Sequence, residues 1–302
     1  MQQKYSIKSD EEQRIDSIVS ENNLVRIETG FFRGKTNVTR VQDVAGTRYI
    51  LKTDGIDRHQ PELLRIAKNM ESQLSFRVPE LVREGKDWLL LEEVIGDPLD
   101  VACTGDLNRY VGMSEQIARE YQQVIAVLVQ EQSLEDMLRE GTEWTRSRLD
   151  LWSRPLVEAG LVEEHVIGTI RKEFEETILQ KGDCFFGWAH GNIISDHILV
   201  SQGTPYLLDL SQVARPGKGY YDFLRALDFM FLKSDDAQVF KNIPRWMGDY
   251  LLDYDEQEVR LVFTLRMMGI LGWDIIHENV EYIHGDIESK KAVALRCINR
   301  EY

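Results

Sequence analysis

The sequence predicts an α+β protein in two parts. An N-terminal part of antiparallel β-strands holds one prominent helix, and a larger, mainly helical part follows with a short β-unit set inside it. Three observations carry that prediction. Apolar residues recur in short strand-like runs from Leu24 to about Glu93. After Gly96-Asp-Pro98 they recur at helical spacing over most of the remaining chain. One loop-strand-strand segment, Trp188 to Asp209, interrupts that helical stretch.

The elements follow in order. Ser9 with Glu12 three residues on has the spacing of a capping box, which predicts a short first helix with Ile15, Ile18 and Val19 on its apolar face. Leu24 to Glu28, Thr36 to Gln42 and Thr47 to Lys52 read as strands, the last two joined by a turn at Asp43-Val-Ala-Gly46. Between the first two lies Thr29-Gly-Phe-Phe-Arg-Gly-Lys-Thr36, where Gly30 and Gly34 would let backbone N–H groups approach a phosphate. Pro61 opens a helix carrying Leu63, Leu64, Ala67 and Met70 at helical spacing. Two more strands, at Leu81-Val82 and Trp88 to Glu93, complete the N-terminal part, which is expected to span residues 1–95, with residues 96–302 forming the second. Beyond the boundary, Ser114 to Gln130, about 145–180, Tyr221 to Leu232, Asp236 to Leu252, Glu256 to Ile276 and a last segment from about 279 read as helices.

Composition narrows the function classes. Lys and Arg total 36 against 51 Asp and Glu, a net charge of −15 over 302 residues. That balance argues against a nucleic-acid partner, whose affinity comes from neutralised phosphates, and is compatible with a cationic small molecule. No run approaches the roughly 20 apolar residues of a membrane span, and the start, Met1-Gln-Gln-Lys-Tyr-Ser, has no signal-peptide core. Cys103, Cys184 and Cys297 are far apart and form no CxxC pair, so reduced thiols in a cytoplasmic protein are expected.

The chemistry-bearing residues gather in Trp188-Ala-His-Gly-Asn-Ile-Ile-Ser-Asp-His-Ile-Leu-Val200 and Tyr206-Leu-Leu-Asp209. They read as a polar loop leading into two short apolar strands, with an aspartate at the end of the second. Such a frame suits a phosphate-and-metal site. The order His190-Gly-Asn192, His197-Ile-Leu-Val200, Leu208-Asp209 and Gly219-Tyr-Tyr-Asp222, preceded by Tyr49-Ile-Leu-Lys52, resembles the aminoglycoside phosphotransferase and choline kinase superfamily over nearly the whole chain.

The resemblance implies a bilobal protein-kinase-like fold and transfer of a nucleotide γ-phosphate, from ATP or GTP with Mg²⁺, to a hydroxyl of a small acceptor. It implies roles for individual residues as well. Lys52 would hold the nucleotide phosphates, with a helix carboxylate fixing its ammonium, Glu62 ahead of Glu71. Asp209 would bind the metal, helped by His197 or else Asp196, although a neutral imidazole is a softer ligand than magnesium selects. His190 and Asp222 would brace the loop. Leu89-Leu-Leu-Glu-Glu-Val-Ile-Gly96 would pair with the base edge through backbone groups from Glu93 to Ile95.

One residue departs from the pattern. The family's His-Gly-Asp carries the acceptor-facing aspartate where this chain has Asn192. An amide cannot take a proton as a carboxylate does, and a general base contributes about 10²–10⁴-fold. Three readings follow: a slow phosphotransferase, with Asp196 as a substitute base; a nucleotide-binding pseudokinase with a regulatory or ligand-binding role; or a native aspartate replaced by design. A metal-dependent hydrolase is disfavoured because no HExxH or HxxxH spacing occurs.

Overall fold

The computed structural model describes residues 2–29, 37–129, 133–233, 238–275 and 286–299. The chain forms two compact units, residues 1–96 with 201–210, and residues 97–200 with 211–302. Residues 201–210 thus lie in the first unit, where a single division after residue 95 would put them in the second.

The first unit is built on an antiparallel sheet of five strands, β1 (Val25–Thr29), β2 (Val38–Gln42), β3 (Arg48–Lys52), β4 (Leu81–Gly85) and β5 (Trp88–Glu92), in the order β1-β2-β3-β5-β4. Alternation sets its faces. In β2, Thr39 and Val41 are buried while Val38, Arg40 and Gln42 are less so. β5 lies between β3 and β4, and its Leu89, Leu90 and Leu91 are all buried, which is why it reads as an unbroken apolar run. Helix α1 (Gln2–Glu21) packs Ile15, Ile18 and Val19 against Val41, Leu51 and Leu90. Its start corrects the capping-box reading: Ser9 falls inside the helix, seven residues beyond Gln2. Helix α2 (Gln60–Asn69) begins with proline in its first turn, as expected, and buries Gln60, Leu63, Leu64 and Ala67 on one stripe. Arg65 on its outer side pairs with Glu84 of β4 at 2.7 Å.

The second unit is mainly helical. It opens with a two-residue strand, β6 (Asp97–Pro98), and the short α3 (Leu99–Ala102). Three long helices follow: α4 (Leu107–Leu128), α5 (Leu134–Glu158) and α6 (Glu164–Phe185). Asp106 caps α4 by accepting from Arg109 N at 3.1 Å, and Ser133 caps α5 through Asp136 N at 3.3 Å. Strand β7 (Phe186–Ala189) pairs antiparallel with β10 (Val213–Pro216). Trp188 and Ala189 therefore lie in a strand and not in the loop that the sequence suggested, and β10 was not anticipated. β8 (Ile198–Ser201) pairs through Leu199 and Val200 with β6, and β9 (Thr204–Leu207) lies in the first unit.

Helices α7 (Tyr221–Lys233), α8 (Gln238–Tyr250), α9 (Glu256–Gly269) and α10 (Ile287–Asn299) complete the second unit, with a π-helical turn over Ile270–Ile275. In α7 all residues but Arg225 and Lys233 are buried. A mainly apolar cavity of about 610 Å³, of a size that holds a small molecule, is lined by residues of α7 to α10 including Phe231, Met247, Phe263 and Met267. Among the described residues no helix is long and apolar enough to cross a membrane.

Candidate functional site

Two polar clusters account for most of the residues singled out by the sequence, one in each unit. In the first unit, Lys52 ends β3, where pairing with Val38 of β2 and Leu89 of β5 fixes its backbone. Its side chain is largely buried and its ammonium is paired with Asp209. Asp209 is brought there by the backbone of residues 205–207: Arg77 N donates to Pro205 O and Leu207 N to Arg77 O, both at 2.8 Å. Asp209 itself has a φ of +55°, a left-handed conformation that non-glycine residues adopt sparingly and that is concentrated at functional sites.

The second partner of Lys52 corrects the sequence reading. Gln60 Oε1 accepts from Lys52 Nζ at 3.3 Å, and Gln60 Nε2 lies 3.5 Å from Asp209 Oδ1. Glu62 is exposed, two positions and about 200° around α2 from Gln60. Glu71 pairs with Lys68 at 2.9 Å instead. Periodicity explains the difference. Gln60 shares the i, i+3, i+4, i+7 stripe of Leu63, Leu64 and Ala67, and Glu62 does not.

Asp209 offers the hard oxygen that magnesium prefers, and about two-fifths of its side chain is exposed. Among the described residues no group of three or more His, Cys, Asp or Glu is arranged to hold a metal. Of the residues expected to meet the base, Glu93 turns its carboxylate to Arg40 Nε at 2.6 Å, and Ile95 is 73% exposed in the irregular segment after β5. Gly30 and Gly34 lie outside the described residues.

In the second unit, the loop after β7 is held from α7. The buried Asp222 accepts from His190 N at 2.8 Å and from Gly191 N at 2.7 Å. Burial pushes its carboxyl above the ordinary aspartate range, against the pull of His190 and of the two amide donors. Losing both acceptors would leave two N–H groups unsatisfied at about 1–3 kcal/mol each. Ser211 Oγ donates to His190 O at 2.5 Å, and the ring of Tyr121 packs on His190 at 5.1 Å. Gly191, at φ +81°, is held to glycine twice over: an added Cβ would lie 2.5 Å from Val213 Cγ2.

Asn192, half-buried, sits between a cation and an imidazole. Arg225 Nε donates to Asn192 Oδ1 at 3.2 Å, and Asn192 Nδ2 lies 3.4 Å from His197 Nδ1. A guanidinium only donates, so Arg225 settles which end of the amide is the oxygen. The Nδ2 hydrogens then face His197 Nδ1, which accepts in the tautomer protonated on Nε2. Asp196 accepts from Lys233 Nζ at 2.7 Å, so its carboxylate is engaged by an ammonium.

Gln60, Arg225 and Lys233 were not anticipated. The signal for Arg225 was in the sequence: Asp222, Arg225 and Asp228 stand three residues apart in a helix that is otherwise apolar and aromatic. Asp228, fully buried, takes Arg225 on one oxygen and Arg266 on the other.

With this geometry in view, the chain compares with known proteins as follows. No curated protein matches it. Amicoumacin kinase hAmiN, solved in complex with AMP-PNP, Ca²⁺ and Ami, is similar in structure at 11% identity and a TM-score of 0.56, covering 99% of this chain and 96% of that one. Choline kinase LicA from Streptococcus pneumoniae is similar at 13% identity and a TM-score of 0.52, covering 96% and 99%. LicA in complex with AMP gives 12% and 0.53, covering 96% and 98%. These likenesses establish a kinase-like fold, with an antiparallel N-terminal sheet and a larger helical part. The family model described as "Phosphotransferase enzyme family" matches residues 30–260, about three-quarters of the sequence, and the chain belongs to that family.

Proposed function

We propose that the protein is a small-molecule phosphotransferase that moves the γ-phosphate of ATP or GTP to a hydroxyl of a small acceptor, slowly because position 192 is an amide. The observation that carries this reading is the pairing of Lys52 with Asp209, which joins the phosphate-binding cation and the metal-binding carboxylate of the family pattern in one cluster. Bound Mg²⁺ would supply charge neutralisation on the phosphates. Lys52 would exchange Asp209 for phosphate oxygens, and Gln60 would keep the ammonium aimed. Glu93 to Ile95 would meet the base through backbone groups, and Gly30 and Gly34 the phosphates. His190 and Asp222 would hold the loop. Asn192 would orient the acceptor hydroxyl through the remaining lone pair of Oδ1 without removing its proton.

The net charge of −15 favours a cationic acceptor, such as an amino sugar or amino alcohol. The kinase neighbours named for amicoumacin and choline support that class. A cytoplasmic setting, where ATP and GTP are at hand, is part of this proposal.

A second reading, a nucleotide-binding pseudokinase, is favoured by one observation: Asn192 Oδ1 is already taken by Arg225. Thermal unfolding with AMP-PNP and Mg²⁺, followed by transfer of labelled γ-phosphate to a panel of amino sugars and amino alcohols, tests both. Nucleotide at 100 times its Kd should stabilise the fold by about 2.7 kcal/mol. Transfer should run about 10²–10⁴-fold below that of an enzyme with a competent base. Stabilisation without transfer to any acceptor favours the pseudokinase. No response to nucleotide or metal removes both readings.

A further inference from the structure

Arg225 stands beside the one position where the loop departs from its family. Its Nε reaches Asn192 Oδ1 at 3.2 Å, and a terminal N–H pairs with Asp228. Asp228 is shared with Arg266, whose Nη1 donates to Tyr221 OH at 3.1 Å. Burial alone would lower the pKa of Arg266, and Asp228 and Tyr221 reverse that. The guanidinium of Arg225 also lies 5.5 Å from the ring centre of Phe229. This chain of contacts ends on Asn192, a neutral group. Two guanidinium ions share this one carboxylate, and Arg225 reaches from it to position 192.

We infer that Arg225 is a positioning residue matched to the amide: it fixes the orientation of Asn192, and it would capture a carboxylate placed at 192 as an ion pair. The Asn192–Arg225 pair, and not Asn192 alone, then sets the state of the loop. Restoring an acid by Asn192→Asp would put one of its oxygens where Oδ1 now meets Arg225 Nε, held ionised and so weakened as a base toward an acceptor hydroxyl. A working base needs both changes, an acid at 192 and the loss of Arg225. The catalytic half of this inference rests on the phosphotransferase reading, and the ion-pair half does not.

A double-mutant cycle separates the two. Wild type, Asn192→Asp, Arg225→Met and the double variant are unfolded in urea at neutral pH. Asp228 keeps Arg266 as partner in every variant, so the fold is expected to survive. Asn192→Asp should shift the unfolding equilibrium at least roughly tenfold more favourably with Arg225 present than with Met in its place. Coupling within about twofold overturns the inference whatever the activity.

In the transfer assay, the double variant should exceed Asn192→Asp by about tenfold or more, within the 10²–10⁴-fold range of a general base. The acid limb of its pH profile should lie higher, because an adjacent cation holds a carboxylate ionised to lower pH. Asn192→Asp with Arg225→Lys should keep the low acid limb, since lysine retains the charge. If Asn192→Asp alone recovers full transfer and removing Arg225 adds nothing, the inference fails. If the coupling is present and no variant transfers phosphate, the pair stands and the phosphotransferase reading falls.

Discussion

The two polar clusters differ in how they meet the same loss. Each has an amide where the family pattern leads one to expect an acid, Gln60 beside Lys52 and Asn192 in the loop. In the first unit the cation turns to the carboxylate that remains: Lys52 pairs with Asp209, the residue proposed for the metal. Under the proposed function that pairing would be exchangeable, because an incoming phosphate and its metal would satisfy both partners. In the second unit the cation beside the amide has a second, fully buried partner in Asp228, which it shares with Arg266. Under the proposed function the first cluster would bind nucleotide, while in the second the amide is held by a cation.

The comparison breaks most visibly at Lys52. Lys52→Met should weaken Mg²⁺–AMP-PNP binding about 100-fold, the equivalent of one or two charge-assisted hydrogen bonds to phosphate at about 1.5–3 kcal/mol each. Asn192→Ala should change it less than about threefold. Calorimetric titration of both variants checks the contrast. Equal losses would mean that nucleotide binding draws on the loop as heavily as on the strand lysine.

A smaller effect tests why Lys52 turns to Asp209. In Gln60→Glu a carboxylate replaces the amide 3.3 Å from Lys52 Nζ and competes with Asp209 for the ammonium. Asp209 is then freer to take a divalent ion. Metal-dependent nucleotide affinity should rise about fivefold, roughly 1 kcal/mol, with little change in metal-free affinity. An unchanged or weakened metal requirement would show that Lys52 does not compete with the metal for Asp209.

The strands of the first unit were legible because alternation and the apolar run of β5 report burial directly, and Pro61 marked the start of α2. The partner of Lys52 was misread because charge was weighed before helix face. Glu62 has the expected chemistry on the wrong side, and Gln60 has the right side with neutral chemistry. Ser9-x-x-Glu12 has the spacing of a cap, yet nothing in Tyr5-Ser-Ile-Lys8 stops a helix, and α1 runs through it. Strands β7 and β10 are four residues each and carry no alternation long enough to register; their pairing is a tertiary fact. Asn192 was legible as a departure, but its significance was not, because Arg225 lies 33 residues away and meets it only in the fold.

The smallest expected effect concerns what holds the loop around Asn192. Asp222 joins α7 to the loop through two amide donors, and burial nonetheless raises its folded pKa above the ordinary 3.8. A carboxyl with a raised folded pKa binds its proton more tightly in the native state than in the unfolded chain. Its contribution is therefore fully present below the unfolded value and is lost as pH rises through the folded one. Asp222→Asn cannot titrate, so it supplies the baseline. The stability of wild type relative to this variant should decline as pH rises above about 4 and level off once the folded carboxyl is ionised. Urea unfolding at matched ionic strength reads the difference. A gap that stays flat over that range, or widens with pH, would mean that the His190 and Gly191 amides outweigh burial, so that the loop is braced by an ordinary carboxylate at no electrostatic cost.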